Sequence, residues 1–209
     1  MTLICEDCCQ RLPYLGTSCR VCALPIATDS AICGHCLKDS PYYDRCIAAF
    51  HYEPPVNHFI ADFKYQGKLQ FINLLASKLV SKIKQSAKHE ELMPDALIPV
   101  PLYPSKLKHR GFNQALEIAK HLGSSLNIKV YSGVAHRVKD TRQQSELDAK
   151  TRVSNLKNAF VLQGELPMHC AIIDDVVTTG STANELARTL KAAGVKGVEL
   201  WSLARAFEE

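Results

Sequence analysis

The chain has 209 residues, a net charge of +4, 46% hydrophobic residues and nine cysteines. No apolar run approaches the ~20 residues that span a bilayer, and the opening MTLICEDCC lacks the basic and apolar stretches of a secretory signal. Membrane insertion and export are therefore not expected; the reading is a cytoplasmic protein, whose CxxC pairs hold metal rather than disulfides.

Charge is unevenly spread. Residues 102–157 carry eleven Lys/Arg against four Asp/Glu, a net of +7, which leaves −3 for the rest. Such a span implies a polyanionic partner, either a pyrophosphate or a nucleic acid backbone.

Residues 1–40 read as a small N-terminal Cys-rich zinc module and 41–209 as one α/β domain. Three pairs, Cys5-x-x-Cys8, Cys19-x-x-Cys22 and Cys33-x-x-Cys36, are each separated by ten residues, and all six cysteines are candidate metal ligands. Four thiolates close one tetrahedral zinc site, so six leave a remainder. The preferred tetrad is Cys19, Cys22, Cys33 and Cys36, because CRVCALP followed by CGHC most resembles paired zinc knuckles. Cys5 and Cys8 then lack partners unless Cys9, His35 or a second chain completes another site, or unless they share in the first; free structural or redox cysteines are the alternative. A module this short depends on its metal to fold.

Past Ser40-Pro41, CIAAFHY (Cys46–Tyr52) alternates at period two and predicts a strand. Pro54-Pro55 ends it and opens a helix with Val56, Phe59, Ile60 and Phe63 on one face. Lys64 and Lys68 flank Gly67, where a loop can approach a ligand; simple solvation is the competing reading. Leu69, Ile72, Leu75, Ala76, Leu79 and Ile83 predict a second amphipathic helix.

Ala96–Val100 predicts a buried strand with Pro99 at its exit. The following PLYPSKLKHRGFNQ reads as a basic connection, ahead of a helix from near Asn113 to Gly123. Ser105, Lys106, Lys108 and Arg110 are its groups suited to an anion, Arg as a planar fork and Lys as a point charge. Ile128–Tyr131 is a short strand, 134–148 a basic irregular link, 148–156 a helix presenting Arg152 and Asn155, and 158–162 a strand.

AIIDDVVTTGSTANE (Ala171–Glu185) carries the most chemistry. Cys170–Ile173 predicts a strand buried on both faces, with Asp174 and Asp175 where it emerges. Thr178, Thr179, Gly180, Ser181 and Thr182 offer hydroxyls, amides and one residue free to take positive φ, so the loop can wrap a phosphate. Thr182 with Glu185 spells a capping box, which sets a helix N-terminus against the same spot. Two acids beside a phosphate repel it unless they address hydroxyls or a bridging Mg²⁺, so the implied ligand is a sugar phosphate. The following helix stops at Gly194, and Val198–Ala204 is a last strand in which Trp201 packs rather than stacks on a base.

The 171–185 stretch resembles the signature of the type I phosphoribosyltransferases, which bind 5-phosphoribosyl-1-pyrophosphate (PRPP). VPLYPSKLKHRGFNQ, RVKDTRQQSELDAKTRVSNLKNAF and that signature, behind a CxxC-rich N-terminus, together resemble the ComF/GntX family of competence-associated proteins over nearly the whole chain. The resemblance implies a type I phosphoribosyltransferase-like parallel sheet flanked by helices. It implies PRPP binding by Ser105, Lys106, Arg110, Asp174, Asp175 and the run Val177, Thr178, Thr179, Gly180, Ser181, Thr182, with Mg²⁺ accompanying the ligand. If transfer occurs, Arg137, Lys139, Asp174 and Asp175 are the catalytic candidates, Arg137, Lys139, Arg142 and Gln144 belonging to a loop that closes over PRPP.

Two functions follow. One is a competence factor that handles incoming single-stranded DNA through Lys106, Lys108, Arg110 and Arg142, alongside DNA-uptake or DNA-processing proteins. The other is a phosphoribosyltransferase of nucleotide metabolism. No residue plainly reads a base, and with aromatics at only 7% single-strand binding rests on charge rather than stacking.

Overall fold

The computed structural model describes residues 3–28, 31–87, 93–140 and 156–207. Its strands are β1 (Arg45–His51), β2 (Ala96–Pro99), β3 (Lys129–Val130), β4 (Ala135–Arg137), β5 (Phe160–Leu162), β6 (His169–Val177) and β7 (Gly197–Arg205). Its helices are α1 (Glu6–Gln10), α2 (Gly34–Lys38), α3 (Val56–Gln66), α4 (Leu69–Ala87), α5 (Pro104–Arg110), α6 (Gln114–Leu126) and α7 (Ser181–Ala192). No described helix is long and apolar enough to cross a membrane.

The apolar runs lie side by side. Five strands form one sheet in the order β1-β7-β6-β2-β3, every neighbouring pair parallel, while β4 and β5 make a separate antiparallel ribbon. A parallel sheet needs helical crossovers, and these cover both faces, so its strands are apolar on both sides. Alternation along β6 divides the core: Ala171 and Ile173 face α3, α4 and α6, while Cys170 and Ile172 face α7 and the ribbon. The parallel sheet flanked by helices expected from the sequence is the architecture found.

Burial on both sides also explains a difference at β1. Residues 46–50 are all buried, which erases the expected alternation. The N-terminal segment contributes to this cover: Leu15 N–H donates to Ala49 O at 2.9 Å, Tyr14 bridges to Phe50, and Leu12, Leu15 and Ala23 join the sheet's cores. Packing therefore runs across residue 40.

Other boundaries differ from the expected ones for local reasons. The basic connection after β2 is helical as α5, with Tyr103 as N-cap and Pro104 in its first turn, where the missing N–H is harmless. α6 continues past Gly123 to Leu126, and Gly123 is needed there because a Cβ would stand 2.7 Å from Ile128 O. Trp201 is fully buried, its Nε1–H donating to Glu199 Oε2 at 2.7 Å; Glu199 also meets Arg45 at 2.8 Å and His169 at 3.0 Å.

Candidate functional site

β6 does not stop before the acids, as the residue pattern suggested, but carries them within the strand to Val177. Its pairing with β2 ends at Ile173, whereas β7 accompanies it to Val177. The adjoining amides turn to the carboxylates: Asp175 N–H donates to Asp174 Oδ1 at 2.9 Å, and Val176 N–H to Asp175 Oδ1 at 2.7 Å. Neighbouring residues of a strand point to opposite faces, so the two acids address different sides of the sheet.

Asp175 meets a cation directly, and Asp174 feels one from the other side. Lys64, on the α3 face, places Nζ 2.7 Å from Asp175 Oδ2. Burial alone pushes the Lys64 ammonium down, but Asp175 more than offsets this and holds it above its ordinary range. Asp174 is influenced by Arg137, which β4 supplies from the other face and which lies over the Phe160 ring, 5.8 Å from its centroid. Burial and the neighbouring Asp175 push the Asp174 carboxyl up to about 7, although Lys64 and Arg137 pull against this. The sequence leaves Lys64 between solvation and function; the structure sets it in the acid pair.

Beyond Val177 the chain turns through exposed Thr178 and Thr179 into Gly180, whose φ of 77° lies in the left-handed region. A Cβ on Gly180 would also approach the Tyr43 hydroxyl to 3.0 Å, so conformation and space both call for glycine. Thr179 Oγ1 and Ser181 Oγ are 2.8 Å apart, and Ser181 N–H donates to Thr179 Oγ1 at 3.3 Å. Val177 is buried, and its carbonyl accepts from Ala206 N–H at 2.9 Å and from Arg205 Nη1 at 3.0 Å.

The expected capping box is not formed. α7 begins at Ser181 with Gly180 as N-cap and no side-chain cap. Glu185 turns instead to the segment before β5, accepting from Asn158 N–H at 2.7 Å and pairing with Arg188 at 2.7 Å. Ser181 N–H is taken by Thr179 Oγ1, but neither Gly180 nor Glu185 closes this N-terminus with a side chain, and its partial positive charge faces the turn.

The other candidates are spread around this edge. Ser105, Lys106, Lys108 and Arg110 lie on α5, which follows β2, the strand beside β6. Lys106 reaches Asp140 at 3.7 Å and Arg110 donates to Gln114 Oε1 at 3.2 Å, whereas Ser105 and Lys108 are exposed. Lys139 donates to Lys157 O at 2.6 Å, bracing the two arms beyond the β4-β5 ribbon. Arg142, with Gln144, Arg152 and Asn155, lies outside the described residues.

At the N-terminus, the Sγ atoms of Cys19, Cys22, Cys33 and Cys36 all lie within 4.8 Å of one another, a cluster that could hold a metal ion. Their chemistry fits zinc. A tetrahedron with Zn–S bonds of about 2.3 Å has sulfurs about 3.8 Å apart, and Cys22 and Cys33 are separated by 3.6 Å. Burial raises the Cys19 thiol, but the amides of Cys33, Cys22 and Val21 outweigh it and bring the thiol down to about 7, whereas burial pushes the Cys22 thiol up to about 11 and raises Cys36 as well. Cys5 and Cys8 stand outside this cluster and are exposed around α1.

Sequence reading missed Arg205. Buried at the end of β7, it donates through Nε to Cys22 O at 2.9 Å and through Nη1 to Val177 O at 3.0 Å, and also reaches Thr178 O and Ala206 O. The available signal was an arginine closing a largely apolar, buried strand, GVELWSLAR, where a charge needs internal partners.

No family model matches the chain. Competence protein F of Haemophilus influenzae is 36% identical to it over 211 residues, covering 97% of this chain and 90% of the relative. The DNA utilization protein YhgH of Salmonella typhimurium is 35% identical over 206 residues, with the same two coverages of 97% and 90%. Among solved structures, the purine phosphoribosyltransferase from Pyrococcus horikoshii aligns with 65% of this chain and 82% of its own, at 16% identity and a TM-score of 0.39.

Proposed function

The chain belongs to the competence protein F family, and from that membership we propose that it is a PRPP-binding protein of DNA uptake that handles incoming single-stranded DNA in the cytoplasm. The observation that supports PRPP is the end of β6. One strand delivers two acids, each offset by a cation, and runs directly into a glycine turn and an uncapped helix N-terminus.

In this reading the amides and hydroxyls of Thr178–Thr182 receive the 5′-phosphate. Asp174 and Asp175 accept the ribose hydroxyls, and Lys106 and Arg110 of α5 offset pyrophosphate charge. Mg²⁺ bound with the ligand would neutralise the pyrophosphate and keep most of its waters. The tetrad of Cys19, Cys22, Cys33 and Cys36 takes a structural zinc ion. DNA follows the basic face of α5, where Lys106, Lys108 and Arg110 stand within one short helix; its backbone is held by charge, without base selection.

Calorimetric titration of PRPP with Mg²⁺ tests the reading. Wild type should bind, and Asp174→Ala/Asp175→Ala should give no heat. Equal binding by the double variant would refute it. A transferase reading has Arg137 in its favour, a cation set against Asp174 from the opposite face of the sheet to Lys64. Pyrophosphate release with one base and not others is its signature.

A further inference from the structure

We propose that Arg205 is a positioning residue that couples the metal cluster to the phosphate loop, so that metal retention and anion binding are linked. The inference rests on the reading of Thr178–Thr182 as a phosphate site.

One rigid group touches both places. The planar guanidinium is almost wholly buried, with Arg205 only 5% exposed. Nε donates to the carbonyl of Cys22, one of the four clustered cysteines, and Nη1 donates to the carbonyls of Val177 and Thr178, where the loop begins. Arg205 is also in register with Val177 across the β6-β7 pair, so the backbone fixes the base from which the side chain spans this distance. A displaced Cys22 carbonyl therefore shifts the group that holds the Thr178 carbonyl.

Charge supports the same link. Among the described residues no carboxylate forms an ion pair with Arg205; its donors go to carbonyl oxygens. Zinc held by four thiolates carries a net charge of −2, and a buried cation hydrogen-bonded beside it is a favourable outer partner.

A second contact reinforces the first. Tyr43, buried between the cysteine segment and β1, stands with its hydroxyl against Gly180, at the far end of the same turn. The cysteine segment also grips β1 directly, where Cys46 N–H donates to Arg20 O at 3.3 Å. The loop is thus braced at Val177–Thr178 by Arg205, while the Tyr43 hydroxyl occupies the space that a side chain at Gly180 would need.

Linked sites respond reciprocally, by the same factor in both directions. The probes are PRPP with Mg²⁺ and, in parallel, inorganic phosphate, which needs only the loop and the helix terminus. On zinc-loaded wild type, zinc affinity measured by competition with a colorimetric chelator should rise about tenfold when either probe saturates the site. Affinity for that probe should fall by the same factor in metal-stripped protein. Arg205→Lys keeps the charge but loses the fork, and Arg205→Gln loses both; each should abolish the linkage while zinc still binds.

Zinc retention in wild type needs no substitution, so an unfolded variant does not decide the matter. Equal zinc affinity with and without a probe that binds overturns the proposal. Linkage to phosphate in a protein that ignores PRPP would leave the coupling standing and overturn the PRPP reading. Binding of neither probe overturns both.

Discussion

Lys64 Nζ and Asp175 Oδ2 are 2.7 Å apart, with the lysine side chain 21% and the aspartate side chain 11% exposed. A carboxylate this far from solvent needs a partner, and a second carboxylate, Asp174, stands beside it. Lys64 is what allows two adjacent acids to be held at the end of one strand before any ligand arrives. Removing it should leave a buried charge unmatched. Lys64→Met is expected to cost about 1–3 kcal/mol in urea unfolding at pH 7.5, and Asp175→Asn in the same chain should recover most of the loss. Full additivity of the two substitutions would show that the pair is not coupled.

The raised Asp174 carboxyl has a signed consequence. Its folded value of about 7 lies above the ordinary 3.8, so the folded state binds this proton more tightly than the unfolded state does. The stabilisation is complete below the ordinary value and is lost as pH rises toward about 7. Asp174→Asn should therefore change little at pH 4 and stabilise the protein by about 1–3 kcal/mol at pH 8. In the proposed function the ionised acid receives ribose, so wild-type PRPP affinity should rise from pH 6 to pH 8, and the variant should show a flatter profile. Unfolding curves and calorimetry across that range check both.

Gly180→Ala should act through backbone and space together. A left-handed alanine costs about 1–2 kcal/mol, and its Cβ would press on the Tyr43 hydroxyl at 3.0 Å. The variant is expected to lose about tenfold or more in phosphate affinity, equivalent to about 1.4 kcal/mol. Tyr43→Phe in the same chain should restore the part due to crowding and leave the part due to φ. No recovery would show that the ring oxygen is not the obstacle.

Metal content separates the cysteines. Quantification by atomic emission should find one zinc ion per chain, lost in Cys19→Ser/Cys36→Ser and retained in Cys5→Ser/Cys8→Ser. A chelator should lower the melting temperature of wild type, because binding to the native cluster contributes folding free energy.

Salt dependence tests the α5 face. For every phosphate of a single strand that the protein ceases to neutralise, the slope of log affinity against log salt becomes shallower by about 0.7. Lys106→Glu/Arg110→Glu should therefore flatten it by at least about 1.4, measured by fluorescence anisotropy with an unstructured oligonucleotide. An unchanged slope would place the DNA elsewhere.

The features legible from sequence were those written in consecutive residues. An apolar β-branched run, two acids, a glycine turn and a helical period predict a strand, a site and a helix, because alternation and turn chemistry act over a few positions. Cysteine pairs with two residues between them are equally local. Where expectation and structure part, a local rule met a competitor. Thr182 and Glu185 have capping-box spacing, but Gly180 took the N-cap position and Arg188 engaged the glutamate. β1 lost its alternation because the N-terminal segment covers it.

Residue order alone therefore determined that a phosphate-suited loop follows a buried strand, and that clustered thiols precede the sheet. The preferred tetrad of cysteines was already legible in their spacing and is the cluster that forms, but only the folded chain decided that Lys64 pairs with Asp175 while Arg137 acts on Asp174 from the other face, and that Arg205 joins the cysteine cluster to the loop. The reason is physical. A lysine or arginine reads the same in sequence whether it faces water or a buried acid, and its partner is chosen by which strands and helices the packing of the sheet brings together.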